Sequence, residues 1–261
     1  MCIRDSSYIK QLKNAIEPYP NVKIVSGTSG IVKTYDPKEL TPRSTRTFKE
    51  KDGTTLYWEA YNAAIQVSNE VDSLQYYKKS ILVPGTEIFP YSWIFPFMEG
   101  LVKSMGGTAA GNGIQAERSV FWDASRSFAI APVICYESIY GEYCAEYIKR
   151  GANAIFISTN DGWWDDTPGF RQHLMFPSLR AIESRRSIAR SANTGSSAYI
   201  NQRGDIVERT AYEVDAVLQS EILFNDEITF YVRWGDLIAR IAILLSILLF
   251  LNSIVLKGMG K

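Results

Sequence analysis

Between Asp236 and Leu256 the chain reads DLIARIAILLSILLFLNSIVL, nearly unbroken in apolar residues from Ile241 to Leu251, with Asn252, Ser253 and three more apolar residues before Lys257. A run this close to the roughly 20 residues needed to cross a bilayer's hydrocarbon core has few places to go in a water-soluble fold. Its apolar residues surround the whole helix instead of forming one stripe. That favours a membrane-spanning helix over a buried core helix or an amphipathic helix lying on a surface. Arg233 and Arg240 precede the run and Lys257 and Lys261 follow it, so counting positive charges leaves the orientation undecided.

The residues ahead of this helix suffice for one α/β domain with a sizeable core: the chain has 261 residues, 46% of them hydrophobic. Lys plus Arg number 28 and Asp plus Glu 28, so no strong field points to nucleic acid as a partner. The first six residues, MCIRDS, have neither periodicity nor the layout of a signal peptide and read as a non-native start. The expected organisation is therefore 1–6 as that start, 7–235 as the domain, 236–256 as a transmembrane helix and 257–261 as a short basic tail.

Helical spacing runs from Tyr8 to about Glu17, followed by a short buried strand, Val22 to Gly27, ending in glycine. Tyr35 to Asp52, rich in Pro, Thr, Lys and Arg, reads as a surface loop or an extended hairpin arm. Tyr61 to Ser68 alternates as a strand, with a turn at Asn69 to Ser73 before Leu74 to Tyr77. Strands are expected at Phe128 to Ile134 and Ala152 to Thr159, with a helix from Gly141 to Arg150 between them. A longer helix is expected from about Phe170 to Arg190, and a hairpin joins Tyr199–Ile200 to Ile206–Val207 through NQRGD. Strands alternating with helices define an α/β class.

Candidate chemistry lies in three blocks. In FAIAPVICYESIYGEY, Cys135 follows an apolar strand and precedes the polar residues that open a helix. A nucleophile at such a strand-to-helix turn is exposed, with backbone N–H groups and a helix N-terminus near developing negative charge. The plainer reading is a small core residue. In YYKKSILVPGTE, Lys79 and Glu87 offer a cation able to favour a thiolate or hold an oxyanion and a carboxylate able to position it. Read plainly, adjacent lysines are solvated and Glu87 caps a turn. In STNDGWWDD, Asn160 and Asp161 suit a turn at a strand end, while Trp163 and Trp164 line a pocket, meet lipid or are simply buried. His173 is the one histidine, which excludes a His-rich metal site and argues against an imidazole partner for Cys135. Cys135 and Cys144 would be bridged only by chance geometry.

VICYE, YKKSILVPGTE, STNDGWW and RAIESRRSIARSANTGSSAYINQRGDI together resemble the nitrilase, or carbon-nitrogen hydrolase, superfamily. Within it, the closing TFYVRWGD followed by a membrane helix looks most like the apolipoprotein N-acyltransferases. The resemblance implies a four-layer α-β-β-α nitrilase-type sandwich, incomplete at its N-terminus, followed by one C-terminal transmembrane helix. It implies catalytic Cys135 and Lys79, with Glu87 as the additional glutamate that holds the lysine. Tyr136, Glu137 and Trp163 match positions implicated in the substrate site, and His173 falls outside the triad. No metal or organic cofactor is implied. The expected reaction moves an acyl chain from a phospholipid through a Cys135 thioester to the diacylglyceryl-cysteine of an apolipoprotein, at the periplasmic face of a bacterial inner membrane. The segment carrying the family's general-base glutamate has no counterpart here, so the expectation is an inactive fragment of an active parent. The alternatives are a membrane-tethered amidase or nitrilase acting on a small carbon-nitrogen substrate, and a tethered scaffold without catalysis. Aromatic residues in YSWIFPF, Tyr91 to Phe97, are expected to dip into the membrane interface.

Overall fold

The period-2 and period-3.6 patterns resolve, in the computed structural model, into two sheets with helices outside them. Residues 7–69, 74–88, 111–162 and 164–259 are described. Met1 to Ser6, Tyr91 to Phe97 and Trp163 lie outside them. The elements in chain order are α1 (Ser7–Ile16), β1 (Lys23–Thr34), β2 (Arg46–Lys49), β3 (Thr55–Ser68), β4 (Gln75–Lys78), β5 (Phe121–Trp122) and β6 (Ala129–Ile134). A 3-10 turn, Cys135–Ile139, leads into α2 (Gly141–Lys149), β7 (Ala154–Thr159), α3 (Pro168–Ser184), β8 (Ile188–Ala192), β9 (Ala198–Ile200), β10 (Ile206–Arg209), α4 (Phe230–Trp234) and α5 (Leu237–Met259).

The first sheet is antiparallel and built on β3. One edge of β3 pairs with β1 from Lys23↔Ser68 to Thr34↔Tyr57, and the other is shared by β2 and β4. Successive side chains of a strand point to opposite faces, and β3 uses both. Ile65 and Val67 pack with Ile9 and Ile16 of α1, whereas Ala64 joins the core between the sheets. The second sheet runs β10-β9-β8-β7-β6-β5, with β6, β7 and β8 parallel. Parallel neighbours require a crossover, which α2 and α3 supply. All six residues of β6 are buried, as expected for a strand covered on both faces. Tyr143, Cys144, Tyr147 and Ile148 form the apolar side of α2 against it. The layers are thus α1, first sheet, second sheet, then α2 and α3: the expected α-β-β-α order.

Several boundaries differ from the expectation. The short strand to Gly27 continues to Thr34, because β3 supplies a partner along its whole length. Gly27 marks a close approach of the sheets instead of a strand end: a Cβ there would lie 3.0 Å from Ser158 Cβ. The helix expected to Arg190 stops at Ser184, where Arg185 turns left-handed (φ 52°, ψ 43°). Ile188 to Ala192 then forms β8, parallel to β7. A strand carrying an arginine at its centre lacks the apolar signature of a buried strand.

The C-terminal helix α5 contains a 21-residue stretch, Leu237–Lys257, long and apolar enough to cross a membrane, and none of it is buried. Its first turn is tied to the domain through Glu142 at the start of α2. That carboxylate accepts the Asp236 amide at 3.0 Å and Arg240 Nη2 at 2.6 and 2.7 Å.

Candidate active site

Strand β6 delivers Cys135 into the 3-10 turn with φ of 50°. A non-glycine residue in the left-handed region costs about 1 kcal/mol or more and persists where its surroundings over-determine it. Those surroundings can be traced. Glu137, two residues on, is fully buried, and Ile134 N donates to its Oε2 at 2.9 Å. Its Oε1 accepts Ser80 N at 2.6 Å, Ile81 N at 3.3 Å, and the Tyr77 and Tyr143 hydroxyls at 2.8 Å each. Burial pushes the Glu137 carboxyl above its ordinary value, while the Ser80 and Ile134 amides and the two hydroxyls pull against that shift. One carboxylate therefore ties the Cys135 turn to the segment that follows β4.

That segment begins with Lys79. Alternation along the strand sends the two lysines apart: Lys78 Nζ pairs with Glu59 at 3.1 Å and Lys79 Nζ with Glu87 at 2.6 Å. Lys79 is 1% exposed, so it is not the solvated lysine of the plainer reading. Glu87 also accepts Val83 N at 2.7 Å and, through its other oxygen, Asn62 Nδ2 at 2.6 Å. It caps its own turn and holds the lysine at once, so the two readings of Glu87 coexist.

Tyr136 is partly buried and meets Tyr140 edge-on, ring centroids 5.5 Å apart. Trp163 lies outside the described residues, and Trp164 is exposed. Cys135 and Cys144 are both free, 135 partly buried and 144 fully, with burial pushing the Cys144 thiol up to about 12. Among the described residues no cluster of three or more His, Cys, Asp or Glu is arranged to hold a metal. A cavity of about 390 Å³ beside Trp122, Asn153 and Arg186 includes none of Cys135, Lys79 and Glu87 in its wall.

Sequence reasoning missed four contributors. Asn62 braces Glu87, and Arg180 holds the carbonyls of Ser138 and Ile139. Ser138 Oγ donates to the Cys135 carbonyl at 2.8 Å. Asp161, read as a turn residue, does open a turn after β7, where its carbonyl accepts Trp164 N at 2.9 Å, and its side chain is also buried in an ion pair with Arg190 at 2.5 Å. The available signal was spacing: His173 and Arg180 stand seven apart on one helix, hence on one face.

A cysteine on a strained strand-to-helix turn, tied through a buried glutamate to the backbone that directly follows Lys79 of a lysine–glutamate pair, is the framework of an amide-type acyl-transfer or hydrolase scaffold. Residues 31–228 match the carbon-nitrogen hydrolase family, and the chain belongs to it. More particularly, it is similar to the apolipoprotein N-acyltransferase of Chlorobaculum tepidum, 34% identical over 188 residues covering 71% of this chain and 35% of that protein. The apolipoprotein N-acyltransferase of Geobacter metallireducens is 32% identical over 190 residues, 73% of this chain and 35% of that protein. The chain spans about a third of the length of these relatives. In fold it resembles Saccharomyces cerevisiae Nit3, a member of branch 10 of the nitrilase superfamily, with a TM-score of 0.50 at 15% identity, covering 79% of this chain and 62% of that one.

Proposed function

We propose that this chain carries the acyl-transfer chemistry of an apolipoprotein N-acyltransferase. The Cys135 sulfur attacks the ester carbonyl of a phospholipid, the C–O bond breaks, and a lysophospholipid leaves with the thiol's proton. The α-amino group of a diacylglyceryl-cysteine then attacks the thioester. Its N–C bond forms as the C–S bond breaks, and the thiol is restored as the amine loses a proton. Lys79 stabilises the oxyanion of each tetrahedral intermediate. Glu87 holds that lysine in place through their 2.6 Å ion pair, and Tyr136 and Trp163 belong to the substrate site. Glu137 acts there by positioning, since its oxygens are already taken up by amides and hydroxyls. No cofactor takes part, and the general base is a further carboxylate.

The observation that carries this reading is the unburied apolar helix that directly follows a carbon-nitrogen hydrolase domain. Both substrates keep acyl chains in the bilayer, so the catalyst has to work at its surface. The proposed arrangement is a domain at 7–235 on the periplasmic face of a bacterial inner membrane, with 236–256 crossing it.

Intact-mass analysis after incubation with phosphatidylethanolamine vesicles tests the proposal, using the chain extended N-terminally with a relative's general-base segment. A gain of one acyl group, absent in Cys135→Ala and discharged by a lipopeptide amine, is the expected result. Turnover of a small water-soluble amide without any acyl adduct would replace this reading with a tethered amidase.

A further inference from the structure

The lone histidine takes no part in the Lys79–Glu87 arrangement, yet it is buried beside the nucleophile turn. His173 Nδ1 lies 2.9 Å from Asp161 Oδ1, Asp161 Oδ2 pairs with Arg190 Nη2 at 2.5 Å, and Arg190 Nη1 donates to the Ser196 carbonyl. Burial alone would raise the Asp161 carboxyl, but the His173 hydrogen bond and the Arg190 charge outweigh it and hold the group below its ordinary value. An ionised carboxylate only accepts, so Nδ1 of His173 carries a proton. The other ring nitrogen, Nε2, stands 3.4 Å from Ser138 Oγ, whose single proton goes to the Cys135 carbonyl at 2.8 Å, so the ring backs the hydroxyl by contact and does not accept its proton. Asp161, His173, Ser138 and the Cys135 carbonyl thus form one line of contacts from the end of β7, through α3, to the nucleophile's own peptide. Apart from the partly buried Cys135, every side chain along it is buried.

The peptide that follows Cys135 is planar, so its carbonyl and the Tyr136 N–H point in opposite directions. Holding the carbonyl against buried Ser138 turns the Tyr136 N–H the other way. That N–H belongs to the first turn of a helix, where no intrahelical acceptor exists. A backbone donor beside a nucleophile is the group that stabilises the oxyanion formed when an acyl carbonyl is attacked.

We propose that Ser138 and His173 are positioning residues for acyl transfer: together they pin the Cys135 carbonyl inside the fold and so aim the Tyr136 N–H at the forming oxyanion. The inference rests on Cys135 being the nucleophile. It assigns the single histidine a role in the reaction without making it an acid or a base.

The test separates two reactions of the same sulfur. Acylation by p-nitrophenyl butyrate passes through a tetrahedral oxyanion, whereas alkylation by iodoacetamide is a direct displacement at carbon. In Ser138→Ala and His173→Gln, acylation falls about 10- to 100-fold while alkylation keeps its wild-type rate. The double variant loses no more than the worse single one, because both act through one linkage. Hydrogen exchange over 135–139 rises in both variants by more than the fall in the unfolding midpoint accounts for, and it reads the positioning even where the ester fails to acylate. Both reactions are run on the N-terminally extended chain, and its failure to take up the acyl group would count against Cys135 as nucleophile. The positioning proposal is overturned if both rates fall together, if neither falls, or if exchange at 135–139 is unchanged.

Discussion

The Glu137 carboxylate accepts the amide proton of Ser80 at 2.6 Å, joining the residue after Lys79 to the turn that begins at Cys135. The pair spans the two sheets, because Ser80 follows β4 of the first and Glu137 follows β6 of the second. Removing the carboxylate strands amides and hydroxyls that have no water to turn to. Glu137→Ala should therefore cost on the order of 3 kcal/mol. Urea denaturation reads this directly, and a midpoint equal to the unaltered chain's would show that the carboxylate does not join the sheets.

The two lysine pairs should differ in function. Glu87→Gln leaves the buried Lys79 without its counter-charge, lowering stability by about 1–3 kcal/mol and suppressing acyl-adduct formation on Cys135. Glu59→Gln removes the partner of Lys78, which emerges on the other face of the strand, and leaves adduct formation intact. Equal losses in intact-mass assays of both variants would remove the distinction between them.

Stability should fall in acid, in part through Asp161. Its folded-state value lies below the ordinary 3.8, so the unfolded chain binds the proton more tightly. The stabilisation is present above that ordinary value and is lost as pH falls through the folded one. Asp161→Asn should flatten this part of the profile in thermal melts between about pH 5 and pH 2. A profile as steep as the unaltered chain's would assign the acid sensitivity to other groups.

A maleimide at pH 8 should modify Cys135 faster than Cys144 by more than about 100-fold, because the thiolate is the reactive form and burial suppresses it at Cys144. Peptide mapping separates both from Cys2. Comparable rates would indicate that the Cys135 turn is closed to small reagents and would favour a non-catalytic scaffold.

Because none of the Leu237–Lys257 stretch is buried, deleting 237–259 should leave the domain's unfolding midpoint unchanged while abolishing flotation with phospholipid vesicles. A domain that unfolds without the helix would mean that these residues are needed by its core.

The α/β class, the apolar terminal helix and the candidacies of Cys135, Lys79 and Glu87 were legible in the sequence, because each rests on local pattern. Hydrophobic periodicity marks a strand or a helix, and the order strand, cysteine, polar helix start describes a turn wherever it occurs. The full length of β1 was not legible, since a half-exposed strand is defined by its partner, and β1 follows β3 for twelve residues. Nor was β8, which the left-handed Arg185 separates from a helix whose spacing runs on into it. Whether Glu137 touches substrate or braces the turn depends on Ser80, 57 positions away in the chain. The same holds for His173, whose meaning comes from Asp161 on one side and Ser138 on the other. Sequence determined which groups could do chemistry. Tertiary structure alone decided which of them are buried against one another, because desolvation and hydrogen bonding act between neighbours in space whatever their separation along the chain.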